Sequence, residues 1–146
     1  MNESIKMKAF EVNDLLSEYV VLHNHLLKSA GTFSSLFRKV DFGSLTEQTQ
    51  LLYDKFLQKD KEINEWSKQE FNEVGRKFVD YLCEYVNALT NTSKLLLQMY
   101  QYLKGRAEEG KKITFSQHME NDRKYQESIQ EYLKIGKYLN DLYPLL

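Results

Sequence analysis

"WSKQEF", residues 66 to 71, decides the fold of this chain, because it lies midway through residues 45 to 104, which hold one glycine (Gly75) and no proline. A helix that starts afresh at Ser67 makes the protein a bundle; one that continues runs for ~90 Å. The stretch carries a helix-start signature. Ser67 is placed to accept from the amide of Glu70, Glu70 to reach back, and Trp66 to pack on Phe71 as a hydrophobic staple. The flanking residues 57 to 70, "LQKDKEINEWSKQE", hold only three apolar side chains, which suits a surface corner. The same S/T-x-x-E pattern recurs at Ser128 to Glu131, inside the last helical segment, so the motif alone is weak. Against a turn, the apolar stripe Leu45, Leu52, Phe56, Ile63, Trp66, Val74 and Phe78 runs through the stretch at close to the repeat of a straight helix. In favour of one, helix lengths help: with no turn, two short helices would lie against the halves of a long one and leave its middle needing a partner. The reading is that the chain turns at Trp66 to Ser67. The alternative is a three-helix protomer with one very long central helix, dimeric.

Outward from this point the chain reads helical throughout. It has 146 residues with six glycines and one proline, and strand-like alternation is missing. Upstream, Ile5, Val12, Leu16, Tyr19, His23, Leu26, Ala30, Phe33, Phe37 and Val40 recur at helical spacing and run past Gly31. "DFGS" stops that run: Gly43 suits the left-handed helix end, and Ser44 with Glu47 forms a capping box for the next helix. Downstream, "KGRAEEGKK" with Gly105 and Gly110 reads as a loop, and Thr114 with Gln117 caps a final helix whose apolar face is Phe115, Met119, Ile129, Leu133, Leu139 and Tyr143. The expected fold is an all-α antiparallel bundle of four helices, roughly 3 to 41, 45 to 65, 68 to 104 and 115 to 142, forming one domain over residues 1 to 146. After Tyr143 the chain ends "PLL", an apolar tail that either folds back on the bundle or faces another protein.

Charge and composition exclude several classes of function. Lys and Arg total 20 against 21 Asp and Glu, a net charge of −1, and the basic loop residues Lys104, Arg106, Lys111 and Lys112 are interleaved with Glu108 and Glu109. That is no nucleic-acid surface. Every helix mixes both signs, so membrane-surface contact is not expected, and no run approaches a membrane span. Cys83 is the only cysteine and the N-terminus lacks a secretory apolar core, so the expectation is a soluble cytoplasmic protein in which the glycosylation triplets at Asn2 and Asn91 are chance matches.

Chemistry is equally sparse. His23 and His25 are two apart and point to opposite faces of a helix, so they cannot close on one ion. His23, His118 and Asp122 make the one conceivable metal-binding or enzymatic constellation, set against the plainer reading of hydrogen-bonded boundary residues. No glutamate lies three residues before any histidine, which excludes the di-iron bundle pattern, and Cys83 sits in an apolar helical setting without a histidine partner. No phosphate-cradling glycine loop occurs. No catalytic residues and no cofactor are expected.

Residues 78 to 103 are richer in apolar and aromatic side chains than one buried face needs. One stripe runs through Phe78, Leu82, Tyr85, Leu89, Leu96, Met99 and Leu103, and a second, about 100° from it, includes Val79, Cys83, Val86, Leu97 and Tyr100. Either this helix is central in the bundle, or Val79, Tyr81, Tyr85, Val86, Leu97, Tyr100 and Tyr102 form a surface for self-association or for a partner. The functional expectation is a small protein-interaction module, an adaptor, inhibitor or immunity-type binder. The alternatives are an elongated dimeric scaffold or membrane-shape binder, and a metal or enzyme site at His23, His118 and Asp122.

Overall fold

Trp66 ends a helix, and the chain does turn there. The computed structural model describes residues 2–30, 40–110 and 115–146, in four helices: α1 (Asn2–Ala30), α2 (Phe42–Trp66), α3 (Glu73–Glu109) and α4 (Phe115–Leu142), followed by a short 3-10 turn, Tyr143–Leu145. The single long central helix is thereby replaced by an α2–α3 hairpin.

The signature at the corner works differently from its expected form. Ser67 is the C-cap of α2: its amide donates to the Ile63 carbonyl at 2.8 Å and its hydroxyl to the Asn64 carbonyl at 2.7 Å. The residue that starts α3 is Asn72, whose Oδ1 accepts from the Gly75 amide at 2.7 Å. Asparagine is as good an N-cap as serine, so local propensity does not separate the two candidates. The staple does form, with the Trp66 and Phe71 rings edge to face at 5.2 Å. Arg76 then locks the corner: its Nη1 donates to the Ser67 and Gln69 carbonyls at 2.8 and 3.3 Å, and its guanidinium lies 5.1 Å over the Phe71 ring.

Other ends shift by similar local contests. Asp41 caps α2 by accepting from the Ser44 amide at 2.9 Å, which places Gly43 and Ser44 inside the first turn. Gly105 lies within α3, and the left-handed stop is Gly110, at φ 65°. The first helix does not reach residue 41, since Val40 and Asp41 lie outside any helix. Gly31, Phe33 and Phe37 of the stripe beyond it, Lys111 and Lys112 of the basic loop, and Thr114 of the last capping box lie outside the described residues.

Helices consecutive in the chain run antiparallel. Glu11 meets Lys59 and Glu18 meets Lys55 across α1 and α2, while Tyr85 meets Tyr132 and Tyr81 stacks on Tyr138 across α3 and α4. Between α2 and α3 the Thr90 hydroxyl points at the Phe56 carbonyl, and Gly43 lies beside Lys104. α1 and α4 are tied at opposite ends of the sequence, by Asn2 to the Leu146 carbonyl at 2.8 Å and by Tyr19 to Tyr125. The result is an up-down-up-down bundle in which α1 and α3 run parallel and pack on each other, Ile5 against Gly75 and Leu22 against Tyr100, more closely than α1 packs on α4. Leu146 packs back on the core while Leu145 stays exposed, so the apolar tail is divided between bundle and solvent.

The core is carried by α3. Leu82, Leu89 and Leu96 of its first stripe and Val79, Val86 and Tyr100 of its second are all buried, so the surplus apolar surface belongs to a central helix. The polar run 57 to 70, in turn, marks a charged seam. Lys8 bonds Glu62 at 2.7 Å, and Lys59 bonds Glu11 and Glu62 at 3.0 and 2.9 Å. The bond to Glu62 raises the Lys8 pKa, and the bonds to Lys8 and Lys59 lower that of Glu62. At Lys59 burial pulls down, but the bonds to Glu62 and Glu11 together push its pKa up.

Candidate functional site

The buried face of α4 is built from tyrosines: Tyr125, Ser128, Tyr132, Ile135 and Leu139 point inward, whereas Met119, Leu133 and Tyr143 of the expected apolar face are exposed. A tyrosine is long and has a polar end, and that end needs a partner when buried. Here the partners come from α1. The Tyr19 and Tyr125 hydroxyls lie 2.6 Å apart, and Tyr125 Oη lies 2.7 Å from His23 Nδ1. Tyr132 meets the Tyr19 ring edge to face at 5.9 Å. Two tyrosines joined hydroxyl to hydroxyl hold their helices further apart than interleaved leucines would. α1 accordingly packs on α2 and α3, and its backbone scarcely approaches α4.

A groove of about 640 Å³ opens between these two helices. It is closed at one end by Tyr19 and Tyr132, and at the other by the Asn2 tie and by Lys6, whose Nζ lies 5.8 Å over the Tyr143 ring. Phe10, Leu16 and Val20 form the α1 lip and Leu133 and Lys137 the α4 lip, over a floor of Phe78, Leu82 and Tyr85 from α3. Phe10 is 67% exposed and Leu133 52%, so both lips present large apolar side chains to solvent. Gly136 sets the depth: a Cβ there would lie 3.3 Å from the Tyr85 ring, so its absence lets α4 pass close over that phenol. Burial pushes the Tyr85 pKa up to about 12, so the floor carries a neutral hydroxyl, which makes no hydrogen bond among the described residues.

Most of the surface expected on α3 is not at the surface. Val79, Val86, Leu97 and Tyr100 are interior, and the Tyr100 hydroxyl donates to the Leu22 carbonyl at 2.6 Å. Tyr81 is half-buried against Tyr138, and Tyr102 lies beside His118 with ring centres 6.2 Å apart. Tyr85 alone of the seven reaches the groove. Sequence reasoning missed Phe10 and Leu133 for opposite reasons: Phe10 falls off the α1 stripe, while Leu133 was placed on the buried face of α4. The usable signal was the run Tyr125, Tyr132 and Leu139, which repeats every seven residues.

The metal constellation does not assemble. His23 is half-buried against Tyr125, His118 is exposed on α4, and among the described residues no three His, Cys, Asp or Glu side chains converge. Burial lowers the His23 pKa and raises that of the half-buried Cys83, which disfavours the thiolate a nucleophile needs. No helix among the described residues is long and apolar enough to cross a membrane. Comparison with protein-family models, with curated proteins and with solved structures finds no match.

Proposed function

We propose that this chain is a protein-interaction module that acts by binding, with the groove between α1 and α4 as its contact surface. The observation that carries the reading is the pair of exposed lips, with Phe10 on α1 and Leu133 on α4 both lining the groove over an apolar floor. A groove formed between helices of a bundle, mostly apolar with a few polar groups, is a common form of binding site. Apolar surface left open to water costs roughly 25 cal/mol per Å², which an occupant recovers. The elongated-scaffold alternative loses its long helix to the α2–α3 turn.

The test is site-specific photocrosslinking in the native cell. A photoreactive phenylalanine analogue at position 10 should give a discrete protein adduct that disappears when Leu133 is changed to Glu. The same analogue at Leu51, equally apolar and exposed but on α2, should give none. Equal adducts from both positions, or persistence of the position-10 adduct in Leu133→Glu, would refute the assignment.

A further inference from the structure

The shape of the groove and its charges narrow the choice of occupant. Along α1 the lining runs from Lys6 to Val20, which at 1.5 Å per residue is a length of ~21 Å, matching an α-helix of about four turns. Its lining comes from α1 on one side and α4 on the other, with Phe10 and Leu133 exposed along the opening, so an elongated occupant matches it. Among the described residues that line it, Lys6 and Lys137 carry the only charges, and both are cations. In the antiparallel α1–α4 pairing, where Asn2 meets Leu146 and His23 meets Tyr125, both lysines fall in the half nearer the chain termini. The other half, around Leu16, Val20 and Leu133, is uncharged.

We infer that the groove receives an amphipathic α-helix of another protein, about four turns long, with an apolar stripe facing Tyr85 and carboxylates in the terminal turn that lies between Lys6 and Lys137. This rests on the binding role proposed above and adds the partner's chemistry and polarity. The apolar stripe, spaced i, i+4, i+7, supplies the affinity by helix-in-groove packing. The two lysines choose among apolar helices, because electrostatic complementarity at a rim contributes specificity and association rate more than raw affinity. Lys6 already spans the groove end as a cation over Tyr143, so its charge is held at the mouth.

The probe is a stapled, fluorescein-labelled helix of about 14 residues with leucines at i, i+4, i+7 and i+11 and glutamates in its first turn, beside a twin with lysines there. Anisotropy titrations on the full chain should give micromolar binding of the acidic probe and binding of the twin weaker by about tenfold. The double variant Lys6→Glu, Lys137→Glu should reverse that order, and Leu133→Glu should abolish binding of both while its circular dichroism melt stays at the wild-type temperature. Raising the salt should shrink the preference and leave the lysine twin nearly unmoved.

Equal affinities for the two probes, or binding that survives Leu133→Glu, would overturn the inference. Tighter binding of laurate than of the acidic probe would assign the groove to a lipid carboxylate, and a dimer dispersed by Leu133→Glu would assign it to a second copy; either sinks the helix. If neither probe binds but the position-10 adduct persists, the helix fails and the binding role stands. If the probes behave as stated and no adduct forms, the binding role in the cell is what fails.

Discussion

Replacing Tyr125 by Phe tests the account of how α1 and α4 are held together. The Tyr125 hydroxyl has one proton and two neighbours, Tyr19 Oη at 2.6 Å and His23 Nδ1 at 2.7 Å. Burial lowers the His23 pKa and favours the neutral ring, and the prediction is for its tautomer with Nδ1 unprotonated, in which Tyr19 donates to Tyr125 and Tyr125 donates to His23. Phenylalanine at 125 fills the same space and removes both bonds, leaving Tyr19 its interaction with the Tyr132 hydroxyl. Tyr19 is 1% exposed but keeps Tyr132, so its lost bond costs about 1 kcal/mol; half-buried His23 can hydrate, so its lost bond also costs about 1 kcal/mol. The sum is about 2 kcal/mol, a shift of roughly 1 M in a urea midpoint at a typical m-value. Tyr19→Phe removes the terminal donor and leaves the Tyr125–His23 bond intact, so it should cost about 1 kcal/mol. Urea denaturation of the two variants, followed by far-ultraviolet circular dichroism at pH 7.5, measures the difference. Equal losses, or a Tyr125→Phe loss below about 1 kcal/mol, would refute the relay.

The His23 pKa is lowered by burial, so the folded state binds fewer protons than the unfolded state as pH falls through about 6.5; stability is full above that pH and drops below it, by at most ~1.4 kcal/mol per pH unit. Denaturation at pH 7.5 and 5.5 should show this loss, and His23→Gln should remove the part due to the imidazole. At Gly75 a Cβ would stand 2.9 Å from the Asn72 cap oxygen and 3.0 Å from Ile5 Cδ1, so Gly75→Ala should lower stability by about 1–2 kcal/mol despite the better helix propensity of alanine; a rise in melting temperature would contradict the packing. Leu133→Glu should leave stability within about 0.5 kcal/mol, whereas Leu97→Glu or Tyr100→Glu should unfold the chain, because the first side chain is exposed and the other two are interior. Circular dichroism of the three variants separates groove from core.

Local chemistry made much of the architecture legible in the amino-acid order. Apolar residues every three or four positions and scarce glycine and proline make four helices, and Trp66 packing on Phe71 does mark the α2–α3 corner. Which polar residue caps which end was less legible, because Ser67, Asn72, Asp41 and Ser44 are nearly equivalent cap formers and the choice falls to contacts such as Arg76 on the Ser67 carbonyl. α3 offered two apolar stripes, and only the positions of the other three helices made both of them interior.

α4 marks the boundary between the two levels. Its leucines and methionine suggested one buried face, but a helix buries the face its neighbours can satisfy. Tyr125 is buried because a hydroxyl on Tyr19 and a ring nitrogen on His23, both more than a hundred residues away, meet its polar end. Periodicity within one helix cannot register a hydrogen bond across such a separation. The sequence by itself therefore determined the helices and the turn between the second and third, through local spacing and backbone preference. Only the tertiary structure decided that tyrosines hold α1 from α4, that Leu133 stands at a lip instead of in the core, and that a groove lies between them, because each of these depends on which polar end finds a partner through space.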